Sequence, residues 1–242
     1  MEIEAVILEI ERAAELSTLT EILFEWRAGS NLAHLFYHAV HIPVCAKPNP
    51  LLLTTYDRAS LRKYFEHGEF LDPMVVACSK GFLPIDWVTV DHEGSAAKQF
   101  FNEAERRGVG RHGITVPIRG VHGERALFTL TSNESDHYWQ RWRYTHLRDV
   151  HLVAYYLHDR AMQLAGLRTG PLMRPLSRRE RQCVQGLANG RTPQQIGVCL
   201  QVSPSAVHLY LGAARRKLNC ATIDQAIAKA ICFELIEYRN LN

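Results

Sequence analysis

The chain has 242 residues, 47% of them hydrophobic and 22% charged, with a formal net charge of +3; this is the profile of a soluble protein long enough for two compact domains. No apolar run approaches the roughly 20 residues that cross a bilayer, and the opening with Glu2, Glu4, Glu9 and Glu11 lacks the basic region of a signal peptide, so a cytoplasmic protein with no membrane partner is expected. Six cysteines, Cys45, Cys78, Cys183, Cys199, Cys220 and Cys232, are scattered without a CxxC pair, and their mostly apolar neighbours predict buried, reduced thiols rather than disulfides or a zinc site.

Residues 2–28 carry Ile3, Val6, Ile7, Ile10, Leu19, Ile22, Leu23 and Trp26 at helical spacing, which predicts two amphipathic helices, or one broken near Ser17. Leu32 to Pro43 and Pro50 to Tyr56 read as strands. Within the first, His34 and His38 fall on one face and His41 on the other, so these histidines with Cys45 read as strand residues and no metal is expected. Arg58 to Phe70 reads as a helix that ends before Asp72-Pro73, since the residue before a proline is pushed out of the helical region. Pro73 to Lys80 and Ser95 to Arg107 read as further helices, the second stopping at Gly108. Gly113 to Val121 and Arg125 to Thr131 alternate around His122-Gly123-Glu124, a hairpin signal. A long helix is predicted from about Ser135 to Leu164, on the recurrence of Trp139, Trp142, Leu147, Val150, Val153, Ala154 and Leu157.

A seam follows, because two glycines and two prolines within residues 165–175 suit neither helix nor strand. Ser177 with Glu180 three residues on is a capping box, followed by Cys183, Val184, Leu187 and Ala188 at helical spacing and a left-handed stop at Asn189-Gly190. Thr192-Pro193 opens a second helix, with Ile196, Val198, Cys199 and Leu200 as its expected packed side. Ser203-Pro204 opens a third, running through Val207, Leu211 and Leu218 to a basic end. Two short helices, a tight turn and a third basic helix meet the requirements for lodging one helix in a major groove.

Charge points the same way. From Arg174 onward ten basic residues face four acidic ones, a net +6, whereas the remainder holds eighteen basic and twenty-one acidic residues, a net −3; attraction for phosphate is thus local to the C-terminal part. The expected fold class is α+β: an N-terminal three-layer α/β/α sandwich around a central antiparallel sheet (residues 1–164), a linker (165–175), and a C-terminal all-α, four-helix helix-turn-helix domain (176–242).

Over most of its length the sequence resembles the LuxR-type quorum-sensing transcription regulators. Ser177, Arg179-Glu180, Val184 and Gly190 match the DNA-binding pattern of that family. Tyr56, Tyr64, Asp72-Pro73, Pro84 with Trp87, Phe101-Asn102-Glu103-Ala104, Gly108 and Gly113 with Pro117 match its autoinducer-binding domain in order and spacing. The resemblance implies no cofactor and no enzymatic activity, but a small-molecule ligand, an acyl-homoserine lactone. Asp72 would accept from the ligand amide, a charged bond worth about 1.5–3 kcal/mol against about 1 for a neutral one. Tyr56, Tyr64 and Thr129 would donate to its acyl carbonyl, Trp87 would wall the lactone, and Val75, Phe101 and Ala104, with Leu52, Phe100 and Leu127, would line the rest. The implied partners are a second copy of the chain, double-stranded promoter DNA and RNA polymerase.

Two departures stand out. Ser60 occupies the place of a family tryptophan that binds the lactone carbonyl; its hydroxyl ends several ångströms short of an indole N–H, so water or a shifted ligand fills the gap. A non-lactone signal, or ligand independence, is the alternative. In the third helix Tyr210 stands where the family often has histidine. Thr192 and Ser203 at the helix starts, Ser205, Ala206, His208 and Leu209 toward base edges, and Gly212, Arg215 and Arg216 toward bases or backbone are the expected DNA contacts, Arg216 meeting phosphate rather than sequence. A phosphate-accepting receiver would need clustered acids before Pro50, which are missing, and no catalytic motif surrounds Tyr64, His67 and Asp72.

Overall fold

A computed structural model describes residues 3–43, 51–58, 61–62, 72–90, 95–106, 108–121, 123–167 and 175–237. Two compact units emerge, a larger one within residues 1–168 and a smaller one centred on 169–242.

The larger unit contains α1 (Ile3–Arg12), α2 (Leu16–Ala28), β1 (His34–His41), β2 (Leu51–Thr54), α3 (Pro73–Ser79), β3 (Ile85–Asp86), a single 3₁₀ turn (Trp87–Thr89), α4 (Ser95–Arg106), β4 (His112–Arg119), β5 (Arg125–Ser132) and α5 (Asp136–Leu164). All strand pairs are antiparallel, in the order β2-β1-β5-β4-β3. The interior strands alternate, but both of their faces are buried, so each face needs its own cover. On one face Leu35, Tyr37, Leu53, Val116, Phe128 and Leu130 join Leu19, Leu23 and Trp26 of α2 and Val150, Val153 and Leu157 of α5 in one apolar core. Inside it Tyr37 Oη and His158 Nδ1 share a hydrogen bond at 2.8 Å.

Two separate helices form as expected, the break lying at Ala13–Glu15, just before Ser17. A partner remote in sequence anchors it: the Arg160 guanidinium of α5 donates to the Ala13 carbonyl from Nε (2.9 Å) and Nη2 (2.6 Å). The alternation expected for β1 also fails at its end. A bulge between His38 and His41 shifts the register by one, so that His41 lies opposite Arg125; burial and then the Arg125 charge hold the His41 imidazole below its ordinary pKa.

The smaller unit contains α6 (Arg178–Ala188), α7 (Pro193–Leu200), α8 (Pro204–Lys217) and α9 (Ile223–Cys232) around Cys183, Val184, Ile196, Val207, Leu211, Ala214, Leu218, Ala226 and Ala230. Val198 and Cys199 do not join this core; Val198 is 81% exposed and Cys199 is exposed. With only two turns, α7 buries a narrow stripe, Ile196 and Gly197, and residues two and three further on rotate out to solvent. Burial of the thiols is likewise corrected. Cys78 and Cys183 are buried, but Cys199 and Cys232 are exposed and Cys220 is half-buried, because apolar neighbours in sequence lie on other faces of a helix.

Candidate functional site: a polar sheet face and an outward helix

The second face of the sheet differs in chemistry. Alternation places His34, Phe36 and His38 of β1, Leu52 and Thr54 of β2, Thr115 and Pro117 of β4, and Leu127, Thr129 and Thr131 of β5 on it. Among the described residues its cover is α3, the 3₁₀ turn and α4, meeting in a small buried cluster of Met74, Trp87 and Ala104 with Ala77, Val90, Phe101 and Val109. Two arginines anchor that cover. Arg119 donates from Nη2 to the carbonyls of Cys78 (3.0 Å), Ser79 (3.1 Å) and Gly81 (3.3 Å) at the end of α3, and Arg143 of α5 pairs with Asp86, whose Oδ1 accepts from Val88 N–H at 3.1 Å and so starts the 3₁₀ turn.

Trp87 is only 5% exposed and lies against the sheet where Gly113 removes the obstacle. A Cβ on Gly113 would come within 2.3 Å of the Trp87 ring, closer than any real contact, so glycine here makes room for the indole. The expectation of a purely apolar wall is incomplete. Trp87 Nε1–H donates to Thr115 Oγ1 at 3.1 Å, and Thr115 Oγ1 shares a hydrogen bond with Thr129 Oγ1 at 2.9 Å. Phe101 packs on the indole at 5.4 Å and Phe100 at 6.4 Å between ring centroids.

Asp72 is 6% exposed and its Oδ1 accepts from Met74 N–H at 2.8 Å as the N-cap of α3. Capping holds a carboxylate at a buried position where its charge is felt by its neighbours. Burial and then the Asp72 charge push the Tyr56 hydroxyl well above its ordinary pKa, and the same two causes, outweighing Arg119, push the Cys78 thiol up to about 12. Tyr56 therefore stays neutral and keeps its proton to donate. Its ring lies 4.8 Å from His34 and 5.3 Å from Phe36. Burial, then the Arg27 charge, hold His34 below its usual pKa, leaving that imidazole neutral near pH 7.

In the smaller unit every start signal becomes a cap. Ser177 Oγ accepts from Glu180 N–H (3.3 Å) while Ser177 N–H donates to Glu180 Oε2 (2.7 Å), and Thr192 and Gln195 repeat the box at the start of α7 (3.3 and 2.8 Å). Ser203 Oγ accepts from Ala206 N–H at 3.2 Å to start α8. Gly190 takes the left-handed stop after α6, at φ 78°. Gln201, left-handed at φ 55°, closes α7, so that α7 and α8 meet at 104°, within the range of a helix-turn-helix. Val207, Leu211 and Ala214 of α8 point inward, which leaves Ser205, His208, Leu209 and Arg216 exposed on the opposite side.

Residues 15–161 match the autoinducer-binding domain family, and residues 174–230 match the luxR family of bacterial regulatory proteins. The chain belongs to the LuxR family. A LuxR-family relative, the transcriptional activator protein RaiR of Rhizobium etli, is 46% identical over 180 residues, 74% of each chain. The structure of Escherichia coli SdiA superposes with a TM-score of 0.65 over 96% of this chain and 97% of that one at 16% identity, and SdiA has also been solved in complex with octanoyl-rac-glycerol. CepR2 of Burkholderia cenocepacia, described as an N-acylhomoserine lactone dependent LuxR-family factor, superposes with a TM-score of 0.54 at 16% identity, over 65% of this chain and 94% of its own. At such identities the superpositions establish the fold.

In this LuxR-family chain, Thr129 of β5 lies on the polar side of the sheet with Tyr56, Asp72, Trp87, Phe101 and Ala104 near it, and Val75 is half-buried on α3. Ser60 and Tyr64, and most of the helix expected at Arg58 to Phe70, lie outside the described residues. In the DNA-binding part Thr192 and Ser203 serve as caps, Ala206 and Gly212 are half-buried, and Arg216 is exposed. Arg215 is engaged internally, donating to the carbonyls of Cys220 (2.9 Å) and Ala221 (3.1 Å), and Lys217 Nζ pairs with Glu180 Oε2 at 2.8 Å. Of the three charges at the end of α8, Arg215 and Lys217 thus brace the domain. Thr115 is not singled out by the sequence, because only the register between β4 and β5 sets it opposite Thr129, whereas His34 and His38 share a face by alternation alone. Among the described residues no group of histidine, cysteine, aspartate and glutamate is arranged to hold a metal, and no single helix is long and apolar enough to cross a membrane.

Proposed function

We propose that the chain is a quorum-sensing transcriptional activator that binds an acyl-homoserine lactone between the polar sheet face and its cover, dimerises, and binds a palindromic promoter site through α8. The observation that carries the reading is the hydroxyl relay. Trp87 donates to Thr115, and Thr115 and Thr129 share a hydrogen bond that either hydroxyl can donate; when Thr115 donates, the Thr129 proton is left for an acyl carbonyl, while the buried Asp72 carboxylate accepts from an amide N–H. An acyl amide presents both groups a short distance apart. RaiR, an activator by name, and CepR2, lactone-dependent by description, support the same reading. A buried ligand stabilises the folded chain by about 2.7 kcal/mol at a hundredfold excess over Kd, so the signal controls how much folded regulator exists to meet DNA and polymerase.

The test is soluble expression of the full chain with and without a panel of acyl-homoserine lactones. Rescue by one member, lost in Thr129→Val and Asp72→Asn, is expected; equal solubility and equal promoter activation without any small molecule contradict the reading. One observation favours a second reading, a non-lactone signal: Ser60 stands where the family carries its lactone-binding tryptophan, and SdiA holds an acyl glycerol. Ser60→Trp separates the two, since improved response to ordinary lactones rejects the non-lactone signal and loss of response to the native signal supports it.

A further inference from the structure

We propose that Leu209, with Gly212 beside it, seats the 5-methyl group of a thymine in the major groove of the operator; the inference rests on the DNA-binding role given to α8 above. Leu209 is 74% exposed and is the sixth residue of α8, in the half of a recognition helix that enters the groove. The fold makes no use of this side chain, because packing is done by Val207, Leu211 and Ala214 on the opposite side. Its outward neighbours Ser205, His208 and Arg216 can each hydrogen-bond a base edge or a phosphate. Leucine cannot. Pressed against a donor or acceptor it would leave that edge unpaired, and thymine's methyl is the one apolar group that base pairs present in the major groove.

Gly212 is the second observation. Glycine inside a helix is disfavoured relative to alanine, and nothing within the domain requires it: a Cβ there would meet only the tip of Arg216, at 3.6 Å, an ordinary contact. Three residues after Leu209, it lies on the same side of the helix. Its missing side chain leaves a recess beside Leu209 and lets the helix backbone come close to the bases. A fold-stabilising alanine would fill that recess.

The experiment uses the full chain, purified with whatever small molecule it carries, and a duplex selected by it from random DNA. Each thymine of that duplex is replaced in turn by deoxyuridine, which removes the methyl and nothing else. Binding is expected to weaken about fourfold at one position in each half-site, the effect of one buried methyl group. In Leu209→Ala that sensitivity disappears while tighter and weaker duplexes keep their order at other positions. Gly212→Ala is expected to raise the melting temperature of the chain and yet weaken binding, a combination a structural role does not produce. Indifference of the wild-type chain to every deoxyuridine overturns the inference, as does unchanged methyl sensitivity in Leu209→Ala. Failure to select any duplex instead rejects the DNA-binding reading on which the inference stands.

Discussion

The two faces of the central sheet are made by the same strands, from alternate residues, and do opposite things. One face is a continuous apolar core between β1, β4, β5 and the helices α1, α2 and α5. The other sets threonines and histidines among a few apolar side chains, covered among the described residues by short elements. Helix α8 repeats the split at smaller scale, with Val207, Leu211 and Ala214 inward and Ser205, His208, Leu209 and Arg216 outward. In both places the apolar side holds the fold, and the mixed side is the one proposed to meet the partner. On that proposal a fold can keep its architecture while its ligand changes, since the residues that would select the ligand are not those that hold the sheet.

Neighbouring residues put this division to its sharpest trial. Phe128 and Thr129 are adjacent on β5 and point to opposite faces. Phe128→Ala is expected to destabilise the domain by about 3–5 kcal/mol, read as a lower urea midpoint than wild type with both proteins free of signal. Thr129→Val, by contrast, keeps the midpoint within about 1.5 kcal/mol and loses the response of a promoter reporter to the signal. Equal loss of stability in both would erase the distinction between the faces.

A smaller effect is expected at Gly113→Ala. The added methyl collides with the Trp87 ring and should cost about 1–3 kcal/mol as overpacking, with a blue or red shift of tryptophan fluorescence and weaker signal binding. Unchanged fluorescence would mean that Trp87 does not rest on the sheet there.

On the holding side of the smaller unit, Glu180 links the start of α6 to the end of α8. Burial alone would raise its pKa, but the hydrogen bonds from Lys217 and Ser177 hold the carboxyl below its ordinary value of 4.5. The sign follows directly: stability from this pair is present above the unfolded pKa and is lost as pH falls through the lower folded value. Lys217→Met is expected to cost about 1–2 kcal/mol near neutral pH and to flatten that acid limb, leaving the preferred DNA sequence unchanged. Ser177→Ala, which removes one cap acceptor, should cost about 1 kcal/mol and likewise leave sequence preference alone. A changed operator in either variant would show that the brace and the reading surface are not separate.

Much of this was legible in the sequence because the signals are local. Ser177, Thr192 and Ser203 each announce a helix within three residues, and the alternation of β4 and β5 gives the hairpin without reference to anything distant. Features set by remote partners were not legible. Arg160 anchors the Ala13 carbonyl after α1, the β1 bulge sets His41 opposite Arg125, and Arg215 and Lys217, which composition counts toward DNA, also bond within their own domain. Val198 and Cys199 misled because an apolar run on a two-turn helix does not say which stripe is inward. At the candidate site, Asp72 and Trp87 stand out by motif and Thr129 as a hydroxyl donor, whereas the place of Thr115 beside them needed the register between β4 and β5.

The central claim is that the polar sheet face is a ligand site whose occupancy accompanies folding. Mass spectrometry of the small molecule released from the folded full chain, for wild type and for Thr129→Val, tests it most directly. An acyl-homoserine lactone carried by the wild-type chain and lost or depleted in the variant is the expected result. A folded, DNA-binding wild-type chain that releases no small molecule, or a variant that carries the same load, would contradict it.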